Sequence, residues 1–211
     1  MIRLGFLASN NGSSLRAIVA AAQAGSLDVE PCLVVSNRKT APALDFARAQ
    51  GIQALFIPTV NDPEQADQRL ADALAAAGAE MVVLSGYLRR LGPITLGRFA
   101  GRVLNIHPAL LPRHGGQGMY GRRVHEAVLA AGDRISGATV HLVDGDYDHG
   151  APLARLEIAV PPGDTAEALE RRVMAAEPSL FVETLQRIAA GTLIPPAAPS
   201  PEPHPGLRRE P

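Results

Sequence analysis

Short apolar runs and amphipathic segments alternate through the first half of the chain. Residues 2–8 (IRLGFLA), 29–36 (VEPCLVVS), 52–57 (IQALFI), 80–86 (EMVVLSG) and 102–107 (RVLNIH) are apolar runs of strand length. Between them, residues 13–24 (SSLRAIVAAAQA) and 41–50 (APALDFARAQ) have helical composition and spacing. Gly25 ends the first; the second has Thr40 as a cap, Pro42 in its first turn and Gly51 as its stop. Asn61-Asp62-Pro63 opens a third, alanine-rich helix running to about Ala77. Strands apolar at nearly every position need cover on both faces. The pattern therefore predicts an α/β fold with a doubly wound, mostly parallel sheet and helices on both faces.

The second half changes character. A glycine-rich loop, residues 113–121 (RHGGQGMYG), leads to a helix from about Arg122 to Ala131. Residues 136–144 (SGATVHLVD) and 151–160 (APLARLEIAV) read as a hairpin, which predicts an antiparallel edge. Residues 165–191 form a long amphipathic helix that Pro178 should kink. The proline-dominated stretch 195–211 lacks apolar periodicity and reads as a disordered tail after a single domain, 1–194.

Composition narrows the partners. Hydrophobic residues make up 46% and charged residues 19% of 211 residues, with a formal net charge of −1. So balanced a chain offers no electrostatic reason to expect nucleic acid or a membrane surface as the main partner. The lone cysteine, Cys32, permits no internal disulfide and points to a reducing compartment. No apolar run approaches the roughly 20 residues of a membrane span, and the N-terminus lacks the pattern of a signal peptide. A cytoplasmic protein is expected.

Doubly wound sheets bind ligands beyond the carboxyl ends of their strands, where the strand order reverses. The polar residues after each strand are therefore candidates for one cleft: Ser9 to Gly12, Ser36 to Arg38, Gly86 to Arg89, and Asn105 with His107. The first loop, LASNNGSSLRAI, runs from a strand into a helix. It has neither the GxGxxG nor the GxxxxGK[ST] pattern, so it suits a single phosphate or is a plain capped turn. Asn105 and His107 lie two apart and share one strand face. An amide donor beside a titratable imidazole could hold an oxyanion and move a proton; the pair could equally be a satisfied strand-end contact.

The turn 144–150 (DGDYDHG) holds three acids. It reads as a solvated turn, as a calcium loop lacking its twelfth-position glutamate (Arg155 stands there), or as a carboxylate placed to orient His107. His107, His114, His125, His141 and His149 lack the HExxH spacing and no metal is expected. His141 alternates with Val140 and Leu142 and reads as structural, while Glu177, Arg38-Lys39 and Arg122-Arg123 read as solvated charges.

Together, NGSS after the first strand, VVLSGYLRRLGP, NIHPALLP, ATVHLVDGDYDHG and a glutamate in the last helix resemble the phosphoribosylglycinamide formyltransferases over nearly all of residues 2–192. NIHPALLP is shared by several activities on the formyltransferase fold. The NGSS loop, with no extra domain, narrows the resemblance to this branch and away from the folate hydrolases and the sugar or transfer-RNA formyltransferases. A non-catalytic ligand-binding protein is the remaining alternative.

The resemblance implies transfer of a formyl group from 10-formyltetrahydrofolate to the amine of phosphoribosylglycinamide in de novo purine synthesis. Small molecules are the partners, no metal takes part, and the enzyme is a monomer or homodimer. It implies that Asn105 binds the formyl oxygen, that His107 is the active-site histidine, and that Asp148 raises its pKa and relays protons. Asn11, Gly12, Ser13 and Ser14 correspond to the phosphate loop, in a phosphate-binding half 1–107, and Glu177 to the ribose-binding acid. Leu88, Arg89, Arg90 and Leu91, with Asn105 and the backbone of Asp144, Gly145, Asp146 and Tyr147, correspond to the folate pocket. Several positions depart from the usual pattern: an arginine is missing around Pro63-Glu64, the segment 113–127 is longer than the shortest family form, and Pro178 directly follows Glu177. Asn10 and Ser14 replace a glycine and an asparagine, and Arg90 replaces an apolar residue.

Overall fold

A computed structural model describes residues 1–196. Of the expected tail, only Pro195 and Pro196 fall among them. The elements are β1 (Ile2–Leu7), α1 (Ser13–Gln23), β2 (Val29–Ser36), α2 (Pro42–Ala49), β3 (Gln53–Phe56), α3 (Pro63–Ala76), β4 (Met81–Leu84), α4 (Pro93–Arg98), β5 (Val103–His107), α5 (Arg122–Ala130), β6 (Ile135–Leu142), β7 (Pro152–Ala159) and α6 (Ala166–Ala189).

The strands form one sheet in the order β3-β2-β1-β4-β5-β6-β7. The first five run parallel, and β6 and β7 add an antiparallel edge. Adjacent residues of one strand enter opposite cores. Phe6, Val34, Val83 and Leu104 pack with Leu15 of α1, Leu44 of α2 and Phe181 of α6. Their neighbours Leu7, Val35, Val82 and Val103 pack on the other face with Leu70 and Leu74 of α3 and with Phe99. That two-sided burial is why the strands read as unbroken apolar runs, each such side chain contributing about 1.5–3 kcal/mol. Gly5 lets α3 approach: a Cβ there would run into Leu74 Cδ2.

Two local features differ from expectation. Thr40 does not cap α2; Ala41 does, without a side-chain bond, and Pro42 supplies the preset first turn. Helix α4 was not expected. Its sequence is short, and it is held by distant Asp67, which accepts from the Ile94 and Thr95 N–H groups at 2.8 and 3.1 Å. Helix α6 runs from Ala166 to Ala189 with Pro178 inside it, as the single long helix expected.

The strand order reverses between β1 and β4, since β2 and β3 lie beyond β1 while β5 to β7 lie beyond β4. The crevice at the carboxyl ends of β1, β4 and β5 is thus the place the architecture reserves for a ligand.

Candidate active site

At the end of β1 the chain turns into α1 through Gly12, which has φ 67° and ψ 60°. Gly12 at the N-cap offers no side chain, the first turn holds no acid, and the Leu15 N–H donates to Ser85 Oγ at 3.0 Å. The N–H groups of Ser13 and Ser14 have no intrahelical carbonyl to bond, so they and the helix dipole favour an anion. Ser14 is buried while Asn11 and Ser13 are exposed. Asn10, one of the departures, accepts from Arg38 Nη1 at 2.6 Å and places a guanidinium on the loop's rim.

Buried Ser9 joins this loop to its neighbours. Its hydroxyl donates to Asn37 Oδ1 at 2.6 Å and accepts the Leu88 N–H at 2.8 Å. The ends of β1 and β2 and the segment after β4 are therefore one hydrogen-bonded rim.

Asn105 and His107 lie on one face of β5, as period two requires, and His107 is only 3% exposed. His107 Nδ1 lies 3.3 Å from Asp148 Oδ2, and its Nε2 donates to the His114 carbonyl at 2.8 Å. Each ring nitrogen faces an acceptor, so an N–H at both positions satisfies both contacts. Asp148 sits at φ 55° and also accepts the Gly116 N–H at 3.0 Å. Burial works against its ionisation. The hydrogen bond and charge of His107 and the Gly116 N–H outweigh that and hold the carboxyl below its ordinary range.

His141 belongs to this site. The strand alternation gave it a structural place, but β6 pairs it directly with Asn105. Burial pushes its pKa down, which favours the neutral ring. Nδ1 donates to the Leu142 carbonyl at 2.8 Å, leaving Nε2 to accept from Asn105 Nδ2 at 3.1 Å. Asp148 Oδ1 lies 3.6 Å from Nε2, too long for a hydrogen bond. The His114 carbonyl and the Gly116 N–H, also in the site, leave no mark on a sequence because they are backbone groups.

The structure brings the two expected pocket segments together. Arg90 reaches from the segment after β4 to Gly145 and Asp146 in the turn after β6. Asp144 braces that turn, accepting the Asp146 N–H at 2.9 Å and facing His149 Nδ1 at 3.0 Å. Leu91 is buried, whereas Leu88 and Tyr147 are exposed. A cavity of about 140 Å³ opens beside this segment, lined by Thr59, Asp67, Tyr87, Arg89, Arg90 and Leu91 among others; Asn105, His107 and Asp148 do not line it. Glu177 of α6 bonds to none of the other candidates. Burial pushes its carboxyl up to about 7, with the charge of His107 acting the other way. Among the described residues, no group of three or more His, Cys, Asp or Glu is placed to hold a metal ion, and no helix is long and apolar enough to cross a membrane.

The sequence model of the formyl transferase family matches residues 2–185. The chain belongs to that family. The chain is 39% identical over 189 residues to a chloroplastic phosphoribosylglycinamide formyltransferase of Arabidopsis thaliana, a match that covers 88% of the chain and 65% of the relative. Its identity to the phosphoribosylglycinamide formyltransferase of Haemophilus influenzae is 32% over 195 residues, covering 92% and 90%. The chain thus spans just under two thirds of the length of the plant relative and most of the bacterial one. Among solved structures, glycinamide ribonucleotide transformylase 1 from Symbiobacterium toebii superposes with a TM-score of 0.84 at 35% identity, covering 92% of the chain and 90% of that structure.

Proposed function

We propose that this formyl transferase moves the formyl group of 10-formyltetrahydrofolate to the amine of phosphoribosylglycinamide, a step of de novo purine synthesis. The observation that carries the reading is the meeting of Asn105, His107 and Asp148 at the carboxyl end of β5, at the same end of the sheet as the α1 N-terminus with its open Ser13 and Ser14 N–H groups. Relatives named for this reaction support it.

In this reading the phosphate rests on the N–H groups and hydroxyls of Ser13 and Ser14, at the turn made by Asn11 and Gly12. Glu177 takes the ribose hydroxyls. The folate ring lies between residues 88–91 and the turn 144–147. The substrate amine attacks the formyl carbon and the carbonyl oxygen becomes an oxyanion. Asn105 Nδ2 has one hydrogen committed to His141 and a second free for that oxygen. His107 Nε2–H is the other donor, so the oxyanion displaces the His114 carbonyl that now accepts from it. Asp148 holds the charged imidazole, and the amine's proton passes to the folate nitrogen as the C–N bond breaks. The chemistry requires neither a metal nor a covalent enzyme intermediate.

The partners are small molecules, the enzyme works as a monomer or homodimer, and its lone Cys32 fits a reducing cytoplasm. The test is folate release from 10-formyltetrahydrofolate by purified protein, with and without phosphoribosylglycinamide. Release only with the acceptor is expected. Release without it would make the protein a hydrolase, and no release from folded protein would sink both enzymatic readings.

A further inference from the structure

Arg90 lines the cavity beside its own segment and also reaches across to the turn after β6. Its guanidinium donates to the Gly145 carbonyl, lies 3.7 Å from Asp146 Oδ1, and sits 5.7 Å from the centroid of the Tyr147 ring. One side chain from the segment after β4 thus engages three consecutive residues of the turn after β6. Each of the two segments leaves a large apolar side chain in solvent, Leu88 at 59% and Tyr147 at 49% exposure. Exposed apolar surface on two tethered segments suits a flat, partly apolar ring between them.

We propose that Arg90 is a positioning residue for the folate co-substrate, tying the 88–91 segment to the 144–148 turn so that the slot between them is formed before the ligand arrives. The inference rests on the formyl-transfer reading above. The contact with Asp146 contributes little as an ion pair, because the two side chains are 60% and 80% exposed. What matters is the geometry. A planar guanidinium donates to a carbonyl, faces a carboxylate and covers a ring at once, which a lysine cannot do. Pre-forming a slot lowers the ordering cost of binding, so the effect belongs in co-substrate affinity. Turnover should stay, because Asp148 has its own anchors in the Gly116 N–H and His107.

The experiment compares wild type, Arg90→Leu and Arg90→Lys in steady-state kinetics, with melting temperatures measured alongside. In Arg90→Leu the KM for 10-formyltetrahydrofolate should rise about fivefold, a change of about 1 kcal/mol. Turnover, the KM for phosphoribosylglycinamide and Tm should stay near wild type. Arg90→Lys should fall between the two. An unchanged folate KM in an active Arg90→Leu enzyme overturns the inference, as does a joint loss of turnover, both KM values and Tm. If wild type itself releases no folate with acceptor present, the functional reading fails first and the variants are not its cause.

Discussion

His141 decides which way the Asn105 amide points. Because His141 Nδ1 gives its proton to the Leu142 carbonyl at 2.8 Å, Nε2 carries the lone pair that accepts from Asn105 Nδ2 at 3.1 Å. The amide is therefore held with its donor end inward. Removing one oxyanion donor typically costs about 10²–10³ in turnover, so Asn105→Ala should lose that much. His141→Leu keeps the donor but frees it to rotate, and turnover should fall about tenfold, less than for Asn105→Ala. His141→Gln, which can still accept, should recover part of it. Steady-state turnover with circular dichroism to confirm folding is the check; wild-type turnover in His141→Leu would contradict the role.

Asp148 couples the imidazole to the protein's acid stability. Its carboxyl is held below the ordinary range, so the folded state binds its proton less readily than the unfolded chain. The stability this contributes is present above the unfolded carboxyl pKa and is lost as pH falls through the lower, folded value. Asp148→Asn should therefore narrow its Tm deficit relative to wild type as pH falls below about 4. At neutral pH it should lose turnover by about 10²-fold or more, because the imidazolium loses its carboxylate. Thermal melts across the acid range and a turnover assay test both parts.

Glu177 has the opposite sign. Burial pushes it up to about 7, so between its ordinary value near 4.5 and about 7 the unfolded chain ionises while the folded protein keeps the proton. Stability must fall with pH through that window. Glu177→Gln should remove this slope and melt higher than wild type at pH 8 by a few degrees. If Glu177 accepts the ribose hydroxyls as a carboxylate, acceptor KM should fall as pH rises through about 7 in wild type and lose that dependence in Glu177→Gln. A parallel pH slope in both proteins would exclude the residue from binding.

Gly12 bears on the proposed phosphate site at the turn into α1. Its φ of 67° is a left-handed conformation, and an added Cβ would meet Leu15 and Ala43 at 3.3 and 3.4 Å. Gly12→Ala should cost about 1–2 kcal/mol of strain locally. The loop would relax by moving, and the KM for phosphoribosylglycinamide should rise about tenfold while the folate KM holds. Equal changes in both constants would argue against a local phosphate site.

The parallel half of the sheet was legible because its strands bury both faces. Phe6 and Leu7, or Val34 and Val35, must both be apolar, and that leaves an unbroken run in the sequence. Helix α4 was not legible, since what holds it is Asp67, 27 residues before Ile94 in the chain. Within the site, Asn105 and His107 could be paired by strand period alone. Asp148 could not be placed from spacing, because it reaches His107 only after the turn between β6 and β7 folds back. His141 was hidden by its own context: between Val140 and Leu142 it looks like any buried strand position, and only the antiparallel register of β6 sets it beside Asn105.

The most direct measurement follows the formyl group itself. Isotope-labelled 10-formyltetrahydrofolate is incubated with phosphoribosylglycinamide and either wild type or His107→Ala, and the label is located by mass spectrometry. Label on the glycinamide nitrogen with wild type, and almost none with a folded His107→Ala, is the expected result. Label recovered as free formate, or equal transfer by both proteins, would contradict the assignment of Asn105, His107 and Asp148 as the formyl-transfer site.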